Sequence, residues 1–295
     1  MAYDLYQSGE LKKRVEQAYK QLSDCTICPW DCHVNRLEGE IGVCRVAKKA
    51  IVSSSIPHHG EEEPLVGTKG SGTIFFSFCN LRCIFCQNYE LSQWGEGKEV
   101  SEEQIATMML SLQNRGCHNI NLVTPSHVVP QILKALLIAI PAGLKIPLVY
   151  NSSGYDSLET LKLLDGIIDI YMPDFKFSKN DLAKELSRTP NYADITKKAI
   201  KEMHKQVGDL QIENDLATKG LIIRHLVLPN HLDNTRKVLT YIAEDLSKDT
   251  YLNLMDQYYP AYKAHKHPFL KRPLTSKEFK EALSLAKELG LTRLA

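Results

Sequence analysis

From Thr73 onward the chain alternates six short β-branched or aromatic runs with six helical patterns, and this alternation is the strongest constraint on its fold. A strand followed by a helix returns the chain to the same end of a sheet, so repeated units build parallel strands with helices outside them. The expected strands are Thr73 to Phe78, Asn119 to Val123, Ile146 to Asn151, Ile167 to Tyr171, Leu221 to Leu228 and Tyr251 to Met255. The expected helices are Ser101 to Asn114, Ser126 to Ile140, Ser157 to Leu164, Asp181 to Val207 in one or two pieces, Asn234 to Leu246 and Ser276 to Leu289. Ser101 and Ser276 are the expected caps of two of them, each followed by acidic residues in the first turn. Six units are too few to close an eight-stranded barrel. The fold class expected is therefore α/β, a partial (β/α)6 TIM-like barrel over residues 73–295.

Residues 1–72 follow another pattern: an amphipathic helix near Gly9 to Leu22, a group of cysteines, then an extended run with Pro57, Pro64, Gly67, Gly70 and Gly72. They are read as an appended Cys-rich, metal-binding extension. The net charge of +1 over 295 residues gives no overall field for nucleic acid or an anionic membrane. The most apolar stretch, Val128 to Tyr150, is broken by Lys134, Lys145, Pro130, Pro141 and Pro147 and does not read as a membrane span. Met1 to Leu11 contains Asp4 and Glu10 and no apolar core, so no secretory signal is read there. A cytoplasmic, oxygen-sensitive protein is expected.

Seven of the eight cysteines form two tight groups, Cys25/Cys28/Cys32/Cys44 and Cys79/Cys83/Cys86, and Cys117 stands alone as a small buried residue. Such grouping points to metal rather than disulfides. The first group offers four thiolates, enough to close a coordination sphere. Zinc and an iron or iron-sulfur centre fit it equally, with His33, His58 and His59 as alternative ligands. The second group directly follows the first barrel strand, and loops after parallel strands converge on one mouth, so its position there is expected from topology alone.

The spacing Cys79-x3-Cys83-x2-Cys86 resembles the signature of the radical S-adenosylmethionine (SAM) enzymes. The flanks Gly70-Ser-Gly-Thr-Ile-Phe-Phe-Ser-Phe-Cys79 and Phe85-Cys86-Gln-Asn88 are similar to those of the branch related to pyruvate formate-lyase activating enzyme. Further similar stretches are Asn119-Ile-Asn-Leu-Val-Thr-Pro125, Val149-Tyr-Asn-Ser-Ser-Gly-Tyr155, Asp169-Ile-Tyr-Met-Pro-Asp-Phe-Lys176, Arg224-His-Leu-Val-Leu-Pro229 and Met255-Asp-Gln-Tyr-Tyr-Pro260. The resemblance implies a [4Fe-4S] cluster on Cys79, Cys83 and Cys86, with SAM on the iron left without a thiolate.

It also implies roles for other residues. Phe85 resembles the aromatic residue that packs near the adenine and keeps water off the cluster. Val123-Thr124-Pro125 stands where many relatives have Gly-Gly-Glu-Pro, so a backbone contact to the SAM amino group survives at Thr124 while a glutamate contact does not. Asp174 and Lys176 resemble the Asp-x-Lys pair that contacts SAM, although a surface ion pair would look the same. Read from chemistry alone, Asn151, Ser152 and Ser153 suit a ribose or a carboxylate, and a turn explains them equally well. Arg224 lies within an apolar strand, where its charge needs a ligand carboxylate or a buried acidic partner.

The activity expected is reductive cleavage of SAM to a 5'-deoxyadenosyl radical that abstracts hydrogen from a protein, peptide or small molecule at the mouth. Tyr171, Tyr258 and Tyr259 are candidate mouth residues. The competing readings are a glycyl-radical activase and a non-catalytic Fe-S electron-transfer or sensing protein. A reductant such as flavodoxin or ferredoxin is implied as a partner. The basic stretch Lys263, His265, Lys266, His267, Lys271 and Arg272 is either its dock, a phosphate site or a solvated loop.

Overall fold

The computed structural model describes residues 2–295. Two helices, α1 (Ala2–Gln7) and α2 (Glu10–Lys20), open the chain. Helix α2 buries Leu11, Val15 and Ala18, a spacing of four and three that puts them on one face. The four-cysteine segment follows without a strand, and the chain then forms β1 (Ala50–His58), α3 (Glu63–Val66) and β2 (Ser71–Phe76). After the second cysteine group come β3 (Lys98–Val100), α4 (Glu102–Asn114), β4 (Ile120–Val123), α5 (Val129–Ala139), β5 (Leu148–Ser152), α6 (Leu158–Leu164) and β6 (Ile170–Pro173). The rest comprises α7 (Asn180–Ser187), α8 (Tyr192–Val207), β7 (Gln211–Glu213), β8 (Leu216–Leu226), α9 (Leu232–Tyr241), β9 (Tyr251–Met255) and α10 (Ser276–Glu288).

Six strands, β2, β4, β5, β6, β8 and β9, run parallel in that spatial order, as the alternation predicts. Strand β1 extends the sheet antiparallel to β2, with Val52 opposite Phe76 and His58 opposite Ser71. The extended run before the boundary expected at residue 72 thus supplies a strand to the same sheet. Its Ser-Ser-Ser core and Pro57 hide the strand from a hydrophobicity reading.

The pleat assigns alternate residues to opposite faces. Ile74, Leu122, Tyr150, Tyr171 and Leu221 share one register row and face the helices. Val149, Ile170, Met172 and Ile222 face inward, where Leu65 of α3 joins them. Asn119 donates to the Leu65 carbonyl and accepts from Ser71, which pins α3 beneath the strands.

One local expectation differs from the structure. The last helix is capped by Thr275, whose hydroxyl accepts from the Glu278 N–H in a capping box, and Ser276 is already helical. Of the one or two pieces expected from Asp181 to Val207 the structure has two, since Arg188 takes a left-handed φ of 61°. Ser101 caps α4 as expected, with Gln104 closing the box.

Candidate active site

The chain leaves β2 through Phe78, whose φ of 64° turns it sharply into the cysteine loop. That loop is tethered on two sides: Arg82 and Ile84 donate their N–H groups to the carbonyls of Ser187 and Leu186, and Lys263 donates to the Ile84 carbonyl. Within it the Leu81 N–H points at the Cys79 sulfur at 3.3 Å, and the Cys86 sulfur lies 3.1 Å from the Ser92 hydroxyl. Cys79, Cys83 and Cys86 line one cavity of about 580 Å³, and no other cysteine reaches it. Burial pushes the Cys79 thiol up to about 11 and raises Cys83 further.

Strand C-terminal ends supply much of the remaining lining: Thr124 after β4, Asn151, Ser152 and Ser153 at β5, Asp174 and Lys176 after β6, and Arg224, Leu226, Asn253 and Met255 on β8 and β9, while Ser53, Ser54 and His58 of β1 line another side. Thr124 has a φ of 60°, a conformation costly for a β-branched residue preceding proline. Its N–H donates to the Asn151 carbonyl at 2.9 Å, and Thr124 lines the cavity. The turn after β5 packs against the end of β6 because residue 154 is glycine: a Cβ there would meet the Asp174 carbonyl oxygen at 2.2 Å, and φ is 76°.

Lys176 and Asp174 pair at 2.5 Å beside the thiols. Burial works against the lysine charge, but Asp174 and the nearby Cys83 outweigh it, so the Lys176 pKa is raised. Phe85 is 4% exposed and packs edge-on to Phe177 and against Tyr258. It lines the cavity as a dry wall beside the cysteines.

Arg224 resolves its two sequence alternatives in favour of acidic partners. Its Nε and Nη2 each lie 2.6 Å from Glu62, and Nη2 also meets Glu61. Asn253 donates to Glu62 as well, at 2.8 Å. The guanidinium lines the cavity, with its Nε and Nη2 donors engaged by these carboxylates. This network joins the segment after β1 to β8 and β9.

The three candidate tyrosines divide. Tyr171 is buried on the helix side with its hydroxyl on Gln206, a correction that follows from the pleat. Tyr258 is buried with its hydroxyl on the Leu270 carbonyl and supports Phe85 from behind. Tyr259 is half exposed outside the cavity. In the basic stretch, His267 pairs with Glu185 and Arg272 with Glu278, while Lys263 lies over the Tyr262 ring.

Several site residues carry no motif. Asn80, fully buried, donates to the Tyr155 carbonyl and accepts from the Ser153 hydroxyl at 3.1 Å, so it ties the cysteine loop to the β5 turn. Its carbonyl accepts from the Trp30 indole at 2.6 Å. A polar residue directly after the first cysteine is the only sequence signal for it. Among the described residues, no three His, Cys, Asp or Glu side chains stand close enough to share one bare ion. A larger hollow of about 810 Å³ between α9 and α10 is lined by opposed charges such as Arg236, Lys280 and Glu281, and contains no thiol.

The family model for the radical SAM superfamily matches residues 73–242, the stretch from β2 to α9 that builds this mouth. The chain belongs to the radical SAM superfamily. Two curated relatives come from Methanocaldococcus jannaschii: the uncharacterized protein MJ0674, 36% identical over 95% of this chain and 79% of the relative, and the uncharacterized protein MJ0808, 25% identical over 92% and 81%. The crystal structure of Streptococcus suis SuiB superposes with a TM-score of 0.50 at 14% identity, covering 74% of this chain and 46% of SuiB. This chain thus spans less than half the length of SuiB, and the likeness is one of fold. The radical SAM assignment accounts for the parallel partial barrel and for the cysteine loop at its mouth. No helix among the described residues is long and apolar enough to cross a membrane.

Proposed function

We propose that this radical SAM protein holds a [4Fe-4S] cluster on Cys79, Cys83 and Cys86 and binds SAM beside it, to abstract hydrogen from a substrate at the barrel mouth. The observation that carries this reading is the cavity lining: three thiols from one loop, no fourth cysteine, and polar groups from the ends of β4, β5 and β6 facing them. A donor set with three thiolates suits a cluster that keeps one iron for a ligand, since four cysteines are the usual complement.

When bound, the cluster and SAM supply a one-electron reduction that releases a 5'-deoxyadenosyl radical. The chain's own residues bind, orient and exclude water. Lys176, held by Asp174, offers a cation to the methionyl carboxylate. Asn151 and Ser153 offer donors and acceptors to the amino acid or ribose, and Thr124 offers its backbone carbonyl to the amino group. Phe85, backed by Phe177 and Tyr258, keeps one wall apolar. A low-potential one-electron donor of the flavodoxin or ferredoxin class completes the requirement.

The test is anaerobic reconstitution with iron and sulfide, reduction, addition of SAM, and quantification of 5'-deoxyadenosine. Wild type is expected to form the nucleoside and Cys83→Ala to form none. An intact, reduced cluster with bound SAM that yields no nucleoside, alone or with cell extract as a source of substrate, would sink the proposal.

A further inference from the structure

The cavity explains three cysteines and leaves four unexplained. Cys25, Cys28, Cys32 and Cys44 lie in a loop folded back on itself: Cys25 donates its N–H to the Val34 carbonyl and accepts from the His33 N–H, at 3.0 and 3.2 Å. Each of the four sulfurs faces a donor. The Val43 N–H points at Cys32 at 3.5 Å, the Trp30 and Val46 N–H groups serve Cys28 and Cys44, and the Arg36 guanidinium lies 3.9 Å from Cys25. Residue 42 is glycine for a steric reason, because a Cβ there would sit 2.6 Å from the Cys32 sulfur.

Arg36 is the decisive neighbour. It is 1% exposed, and its remaining hydrogen bonds go to the carbonyls of Ala47, at 3.1 and 2.9 Å, and His127, at 2.9 Å. Among the described residues no carboxylate pairs with it. A buried guanidinium needs a counter-charge, and the groups at hand are the sulfurs. Four neutral thiols would leave the cation uncompensated. Four bare thiolates would repel one another in the same buried space. Four thiolates on a metal centre satisfy both conditions, since the assembly is net negative and its internal repulsion is cancelled. In this structure no three of these thiols stand close enough to share one bare ion, so the sulfurs must draw together when a metal binds.

We propose that Cys25, Cys28, Cys32 and Cys44 hold a fully ligated metal-thiolate centre whose buried counter-charge is Arg36. With no open coordination site it does no substrate chemistry. It is joined to the catalytic loop at two points: Trp30, two residues after Cys28, donates to Asn80, and Arg82 of the catalytic loop donates to the Val43 carbonyl beside Cys44. Loss of this metal therefore loosens the loop that carries Cys79.

The experiment uses the full chain with Cys79, Cys83 and Cys86 replaced by alanine, so that only the N-terminal group can hold metal. Metal content is measured as purified and after anaerobic incubation with iron and sulfide. About one zinc per chain, or a multi-iron cluster with acid-labile sulfide, supports the centre and identifies the metal. No bound metal, or metal that survives the further change Cys28→Ala with Cys44→Ala, overturns it. Should the triple variant fail to fold, the difference in metal content between wild type and Cys28→Ala/Cys44→Ala gives the same count. For the counter-charge, Arg36→Met is expected to weaken metal retention against a chelator by about tenfold or more, with Arg36→Lys closer to wild type. Equal retention in all three proteins overturns the role of Arg36.

Discussion

Arg224 and Glu62 stand 162 positions apart and meet through two hydrogen bonds of 2.6 Å at the edge of the cavity. Glu62 is fully buried at its side chain and Arg224 is 16% exposed. Burial alone would raise the Glu62 pKa, but Arg224 and Asn253 outweigh it and hold the carboxyl below its ordinary value. Arg224→Met leaves Glu61 and Glu62 without their cation and is expected to cost about 3–5 kcal/mol, whereas Glu62→Gln leaves Arg224 paired with Glu61 and should cost less. The double variant Arg224→Met/Glu62→Leu, in which Glu61 keeps His58 at 3.3 Å, is expected to recover part of the Arg224→Met loss in a urea-unfolding cycle. Equal losses that simply add would show that the two residues act separately.

Two buried histidines set the acid side of the stability profile. His225 is fully buried, with Nδ1 2.6 Å from the Phe175 carbonyl and Nε2 3.0 Å from the Thr235 hydroxyl. Burial lowers its pKa to about 4, and burial with Arg36 lowers that of His127 to about 3. The unfolded chain therefore binds protons near pH 6.5 that the folded chain refuses. Stability is expected to be complete above about pH 6.5 and to fall as the pH drops from there toward about 4. Replacing His225 with Gln should flatten that slope in denaturant melts collected across the range.

Lys176 is expected to govern SAM affinity. Lys176→Met removes the cation and leaves Asp174 facing the cavity, so binding should weaken by about 1.5–3 kcal/mol, the value of a hydrogen bond to a charged group. Anaerobic titration calorimetry, with cluster content checked by iron and sulfide assay, would show this. Undiminished affinity would remove Lys176 from the binding set.

Thr124 stores backbone strain at the cavity wall. Its φ of 60° is adopted freely by glycine and poorly by a β-branched residue. Thr124→Gly is expected to offset about 1 kcal/mol or more of strain against the greater chain entropy of glycine. Thr124→Val, which keeps the strain and loses the hydroxyl, should be no more stable than wild type. A thermal melt ranking valine above glycine would refute the strain.

The parallel order of six strands, the two-piece helix before β7 and the cysteine loop at the mouth were all legible because each is written locally. Strand and helix periods repeat within a few residues, and three cysteines in eight positions need no tertiary partner to be noticed. Strand β1 escaped because its serines and proline lack an apolar period, although its backbone pairs well with β2. The direction of Tyr171 depended on register, since a shift of one residue exchanges the two faces of a strand.

What the sequence by itself determined is the fold class and the grouping of the cysteines, because hydrophobic period and residue spacing are short-range properties. Only the tertiary structure decided which charges meet. Arg224 reads from its neighbours as a cation in need of a ligand carboxylate or a buried acidic partner, and Arg36 shows no partner within its own turn. Packing brought the first to Glu62 and set the second among buried sulfurs. The electrostatic environment of a buried charge is made by atoms distant in sequence, and no local pattern encodes them.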